Sequence, residues 1–221
     1  MSLNMNPDFW HERWKQGQHG FHQPDVNPAL VEHWSRLGVG TSERVFVPLC
    51  GKSLDMWWLR DRGHSVLGVE LSPIAVRDFF REAGVEPNAG HEGRFAVLEA
   101  ERIRILVGDF FELREEDLSN VRGVYDRAAL VALPPNLRLA YAQALAEKLS
   151  RPVSMLLLAF ESSTPEIAGP PFSVTEEEVR ELYQRAFDVE VLHRGPFVEP
   201  PPNLRARGHE TAADVVYAIR G

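Results

Sequence analysis

The chain has 221 residues, 44% of them hydrophobic and 25% charged, enough for one domain with a full-sized core and too apolar for general disorder. Lys and Arg number 24 against 32 Asp and Glu, a net charge of −8, which disfavours a nucleic-acid binder because neutralising phosphates needs a cationic face. The longest unbroken apolar runs, 128–133 and 155–160, fall far short of the ~20 residues that span a bilayer.

Residues 1–4 are polar, precede a second methionine at position 5 and are expected to be a leader outside the fold. No basic region followed by an apolar stretch marks a signal peptide. Two helices are expected first, over 7–17 and from Asn27-Pro28 to Leu37, so that residues 5–40 form an N-terminal helical cap on one domain, 5–221. Val45-Phe46-Val47 is a short apolar strand. Ser53 is placed to cap a helix with Leu54, Trp57 and Trp58 on one face and Gly63 at its end. Val66-Leu67-Gly68-Val69 is a second strand, and Ser72-Pro73 opens a helix with Val76, Phe79, Phe80 and Ala83 in a stripe. A polar insertion over 86–101, compatible with a small hairpin, precedes a third strand bearing Ile103, Ile105 and Val107. Val124-Tyr125 marks a fourth strand, and Leu137, Tyr141, Leu145 and Leu149 stripe a long helix. The apolar run at 153–160 is a fifth strand. Thr175 with Glu178 forms a capping box, and Val189/Val191 and Val215/Tyr217/Ile219 supply two closing strands.

Seven strands with helices between the first five predict an α/β fold: a mostly parallel sheet covered on both faces, with an antiparallel edge where the last two strands meet without a helix. Ligands of such sheets bind outside the carboxyl ends of the strands. The first strand runs into Pro48-Leu49-Cys50-Gly51-Lys52-Ser53, the second ends at Glu70, the third at Gly108-Asp109 and the fourth at Asp126-Arg127. An acid about 20 residues after a glycine turn suits a ribose diol. A turn with one glycine cannot bring backbone close to a pyrophosphate, which argues against NAD or FAD and for a nucleoside ligand such as S-adenosylmethionine. Each of these residues also has a plainer reading: Gly51 as an ordinary turn, Asp109 as a cap, Phe110 and Leu49 as core, Trp10 and Trp14 as the anchor of a helix. Arg127, behind an apolar strand, needs an anion, which a ligand carboxylate, a thiolate or Asp126 could supply. Cys50 has no base spaced to activate it and reads as packing; being the lone cysteine, it leaves no internal disulfide and fits a reducing compartment, so a cytoplasmic location is expected. The histidines form no metal-ligand spacing, and no metal is expected.

The run from Phe46-Val47-Pro48-Leu49-Cys50-Gly51-Lys52-Ser53 to Gly68-Val69-Glu70 closely resembles the thiopurine S-methyltransferases. So do Phe9-Trp10 with Trp14, Gly20-Phe21-His22, Tyr125-Asp126-Arg127-Ala128-Ala129-Leu130 and Gly169-Pro170-Pro171-Phe172. The resemblance implies a class I S-adenosylmethionine-dependent methyltransferase acting on sulfur, of the bacterial type. It carries cofactor contacts to Trp14, Leu49, Glu70 and Arg127, and also to Trp10, Asp109 and Phe110. It places Phe21 near the substrate sulfur, with Arg205 and Arg207 in the segment where the family keeps an arginine. Implied acceptors are aromatic or heterocyclic thiols, with selenium and tellurium compounds as further candidates, and S-adenosylhomocysteine is the product. The expected partner is a small-molecule thiol bound by a monomer, with neither nucleic acid nor membrane. The alternatives are a methyltransferase of the same fold with a halide, nitrogen or oxygen acceptor, and a non-catalytic S-adenosylmethionine-binding protein.

Overall fold

The computed structural model describes residues 7–18, 22–162, 169–196 and 212–221. Helices α1 (Pro7–Lys15) and α2 (Pro28–His33) come first, the latter capped by Asn27, whose side chain accepts from the Ala29 N–H at 2.9 Å. Then follow β1 (Arg44–Val47), α3 (Asp55–Asp61), β2 (Ser65–Glu70) and α4 (Pro73–Glu82). A hairpin of β3 (Asn88–Glu92) and β4 (Phe95–Ala100) leads to β5 (Ile103–Val107) and β6 (Val121–Arg127). The chain continues through α5 (Pro135–Lys148), β7 (Ser154–Ser162), α6 (Glu176–Tyr183), β8 (Asp188–Pro196) and β9 (Ala212–Arg220).

Among the described residues the strands form one sheet in the order β3-β4-β5-β2-β1-β6-β7-β9-β8, with β5, β2, β1, β6 and β7 parallel. Nine strands replace the expected seven because the polar insertion is a hairpin that joins the sheet, β4 pairing antiparallel with β5. The antiparallel edge also differs in detail. β9 runs opposite to β7 but lies inside, next to last, while β8 at the edge runs with the parallel set.

Period-two alternation divides the core between the two faces. Val45, Val47, Val66 and Ile105 pack with Leu30, Met56, Phe79 and Phe80 of α2, α3 and α4. Phe46, Leu67 and Val124 pack instead with Tyr141, Leu145, Val179 and Tyr183 of α5 and α6. In α3 the buried residues are Asp55, Met56 and Leu59 rather than the expected Trp57 and Trp58. Trp57 is half-buried and stacks on Phe79 with ring centres 4.8 Å apart. Among the described residues, no helix is long and apolar enough to cross a membrane.

The chain leaves β1 toward β2 and β5 on one side, then returns to place β6 on the other. The sheet therefore changes direction of winding between β1 and β6, and a crevice opens beyond their carboxyl ends.

Candidate active site

A cavity of about 460 Å³, a size suited to a small organic ligand, occupies that crevice. Its floor is the turn after β1, where Leu49 (φ 46°) and Gly51 (φ 53°) take left-handed backbone conformations. At Leu49 this is strain held in place by the surroundings: the next N–H, of Cys50, donates to the Val69 carbonyl of β2 at 3.0 Å. Gly51 lies under the Trp14 ring; a Cβ there would sit 3.4 Å from it.

Glu70 closes the same turn. Its Oε2 accepts from the Gly51 N–H at 2.8 Å and its Oε1 from the Ser72 N–H at 2.7 Å. Glu70 is only 7% exposed and lines the cavity, and burial raises its pKa against the pull of the Ser72, Gly51 and Leu71 N–H groups. The spacing that suggested a ribose acceptor thus also serves the fold, because one carboxylate ties the glycine turn to the start of α4. Gly108 N–H donates to the Glu70 carbonyl at 2.9 Å and brings the end of β5 alongside. There Asp109 Oδ1 caps the following turn by accepting from Phe111 N–H at 2.9 Å, while Phe110 packs on Tyr141 with centroids 4.7 Å apart.

At the end of β6 the alternation of a strand sends adjacent residues opposite ways. Asp126 faces α5, where it accepts from Tyr141 OH at 2.7 Å and from the N–H groups of Ala129 (3.3 Å) and Leu130 (3.1 Å). Tyr125 and Arg127 face α3. Arg127 Nε donates to Asp55 Oδ2 at 3.2 Å and its Nη2 to Ser53 Oγ at 2.8 Å, and the side chain is 12% exposed on the cavity wall. Among the described residues Arg127 is paired with Asp55 rather than with Asp126. Ser53, expected to cap α3, does accept from the backbone N–H of Asp55 at 3.3 Å, at the start of the helix, and joins this cluster as well; Leu54, between them, makes no side-chain cap bond.

The seven residues expected to touch the cofactor, Trp10, Trp14, Leu49, Glu70, Asp109, Phe110 and Arg127, all line this one cavity. Phe21, Arg205 and Arg207 lie outside the described residues. Sequence reasoning missed Asp55, Tyr141, Lys52 and Arg138. Lys52 lines the cavity and is bound to both oxygens of Glu82 at 2.7 and 2.9 Å. Arg138, 2% exposed, donates to the Leu133 carbonyl at 2.9 Å, grips Glu178 through two contacts of 2.7 Å, and lies 5.7 Å from the Phe172 ring. It lies beside Phe172, which follows the Pro170-Pro171 wall of the cavity, and it takes the Glu178 carboxylate that the expected capping box would have used.

Burial pushes the Asp126 carboxyl up to about 6, so the folded protein holds this proton more tightly than the unfolded chain does. An acid with a raised folded pKa favours folding while protonated, and the benefit fades as pH rises toward and past 6. Asp126→Asn, which keeps the shape without the charge, should therefore gain about 1.5 kcal/mol relative to the parent between about pH 5 and pH 8. Urea melts at the two pH values check it; a constant difference would mean that Asp126 stays ionised throughout. Cys50 is buried, its thiol is pushed well up by burial, and its Sγ packs so closely that a Cβ on Gly68 would approach it to 2.7 Å. Cys50→Ala should keep methyl transfer and lose only about 1 kcal/mol of stability. Abolished turnover in a folded variant would restore a chemical role.

A profile of the thiopurine S-methyltransferase family matches residues 5–221. The chain belongs to the thiopurine S-methyltransferase family. It is 48% identical over 217 residues to a thiopurine S-methyltransferase of Methylococcus capsulatus, covering 98% of both chains. It is 43% identical over 215 residues to one of Nitrosospira multiformis, covering 97% of this chain and 98% of that one. Among solved structures, the Burkholderia thailandensis 1,6-didemethyltoxoflavin-N1-methyltransferase with bound S-adenosylhomocysteine superposes with a TM-score of 0.62 at 18% identity, covering 97% of this chain and 86% of that one. The fold is that of the class I methyltransferases. The chain is an S-adenosylmethionine-dependent methyltransferase, and S-adenosylmethionine is its cofactor.

Proposed function

We propose that this protein methylates the sulfur of aromatic or heterocyclic thiols, with selenium and tellurium compounds as further acceptors. The observation that carries the reading is Arg127, a guanidinium fixed by Asp55 and Ser53 on the wall of a largely apolar cavity. The names of the family and of its 42–48% identical relatives support the choice of sulfur.

The cavity suits S-adenosylmethionine. Glu70, held by two N–H groups, keeps lone pairs for ribose hydroxyls; Asp109 and Phe110 suit the adenine, with Leu49 on its other side. Trp14 and Trp10 offer aromatic faces to the charged methionine portion, and Arg127 is a partner for its carboxylate. When bound, the cofactor supplies an electrophilic methyl group. For the acceptor, the protein's task is alignment and exclusion of water. An arginine beside an aromatic thiol favours its anion, so no dedicated general base is required. Trp10, Trp14 and the Pro170-Pro171 segment line the cavity and leave apolar surface against a bound cofactor. Phe21, Arg205 and Arg207 complete the acceptor site in this reading.

Residues 5–221 then act as one domain, with 5–40 as its cap, working as a monomer on a small molecule in the cytoplasm and not on nucleic acid. The net charge of −8 and the buried, unpaired Cys50 support this. The test is product identification with 6-mercaptopurine and methyl-labelled S-adenosylmethionine. The methyl is expected on sulfur. A ring-nitrogen product, or transfer only to amines or halide, would overturn the assignment.

A further inference from the structure

Asp55 is 1% exposed, yet it sits in the first turn of a helix, where an acid that merely complements the helix dipole would be left in water. Four hydrogen-bond donors converge on its carboxylate. Oδ1 accepts from the Asn27 N–H at 2.8 Å, at the approach to α2. Oδ2 accepts from Ser53 Oγ at 3.0 Å, Tyr125 OH at 2.9 Å and Arg127 Nε at 3.2 Å. Ser53 in turn accepts from Arg127 Nη2 at 2.8 Å, so the guanidinium is held on two of its nitrogens by one connected pair of side chains.

We propose that Asp55 is a positioning residue that sets the Arg127 guanidinium on the cavity wall. The inference rests on the reading of Arg127 as a group that meets cofactor and acceptor. Three features support it. A wholly buried carboxylate needs a cation and several donors, and Asp55 has them, two of the four, Ser53 and Arg127, being on the cavity wall. Tyr125 and Arg127 lie two apart on one face of β6, so the strand itself aims both at α3. A guanidinium on a flexible stem has many rotamers, and two fixed acceptors select among them.

Asp55→Asn is the informative variant. It keeps one oxygen for the Asn27 N–H but turns the other position into an amide donor. The Ser53 and Tyr125 hydroxyls can rotate to accept from it, whereas Arg127 Nε–H cannot. With thiophenol as acceptor, kcat/KM should fall at least about tenfold, and S-adenosylhomocysteine should bind several-fold more weakly by calorimetry. In an Arg127→Met background, Asp55→Asn should cost no further turnover and should raise the melting temperature, because it removes the buried charge that Arg127→Met leaves unpaired. A residue that only supports the fold would give the same loss in both backgrounds.

Losses that add, or wild-type kcat/KM in Asp55→Asn beside an impaired Arg127→Met, would overturn the inference alone. Wild-type turnover in Arg127→Met would overturn the reading of the site and the inference with it. If Asp55→Asn does not fold, Ser53→Ala carries the test. It removes one hydrogen bond from Arg127 and two from Asp55, at Oδ2 and at the backbone N–H, and should lower kcat/KM several-fold in a protein that stays folded at the assay temperature; unchanged kcat/KM there would overturn the inference.

Discussion

Arg127→Met is expected to lose turnover and stability together. The substitution leaves the Asp55 carboxylate, buried in the first turn of α3, without its cation, and breaking a buried pair from one side costs about 3–5 kcal/mol. Arg127→Lys should recover much of that stability, since the charge remains. It should not recover turnover in full, because an ammonium lacks the planar fork that holds Asp55 and Ser53 while offering donors to a carboxylate. The loss of rate should be larger for weakly acidic thiols than for acidic ones, and higher pH should partly restore it for the former. Steady-state kinetics on two thiols of different acidity across a pH range check this. An equal loss for every thiol at every pH would reduce Arg127 to an anchor.

Glu70→Ala should weaken S-adenosylhomocysteine binding by about 1.5–3 kcal/mol, the worth of hydrogen bonds to a charged acceptor. Two buried N–H groups, of Gly51 and Ser72, would also lose their acceptor, so the melting temperature should fall as well. Glu70→Gln keeps one acceptor oxygen and most of the shape but turns an amide N–H toward the other backbone N–H, so it should lose both affinity and stability, each by less than Glu70→Ala. Calorimetry with S-adenosylhomocysteine and NAD on the parent and both variants reads out the comparison. NAD should not compete. An unchanged dissociation constant in Glu70→Ala would leave Glu70 as a strut of the turn.

Much of the site could be read from the chain because it is local. Gly51 and Glu70 are joined by the turn and strand between them, and the strand ends at Asp109 and Arg127 follow from where apolar runs stop. Asp55 could not be read so. Its partners Tyr125 and Arg127 stand 70 and 72 residues away, and in the sequence it is only one more acid near a helix start. A hydrophobic stripe assigned Trp57 and Trp58 to the interior of α3, whereas the smaller Met56 and Leu59 fill it. β3 carries no apolar alternation because all five of its residues are exposed, so only its pairing with β4 reveals it as part of the sheet. Asp126 and Arg127 looked like natural partners as neighbours in sequence. Strand geometry separates them and sends one to Tyr141 and the other to Asp55.

In the proposed reaction a thiolate, favoured by Arg127 and not generated by a protein base, accepts the methyl group. The pH dependence of kcat/KM for a series of aromatic thiols of graded acidity tests it most directly. The inflection should move with the acidity of each thiol, displaced below its value in water, with methyl recovered on sulfur throughout. An inflection fixed at one pH for every acceptor would assign proton removal to a group of the protein and contradict the account.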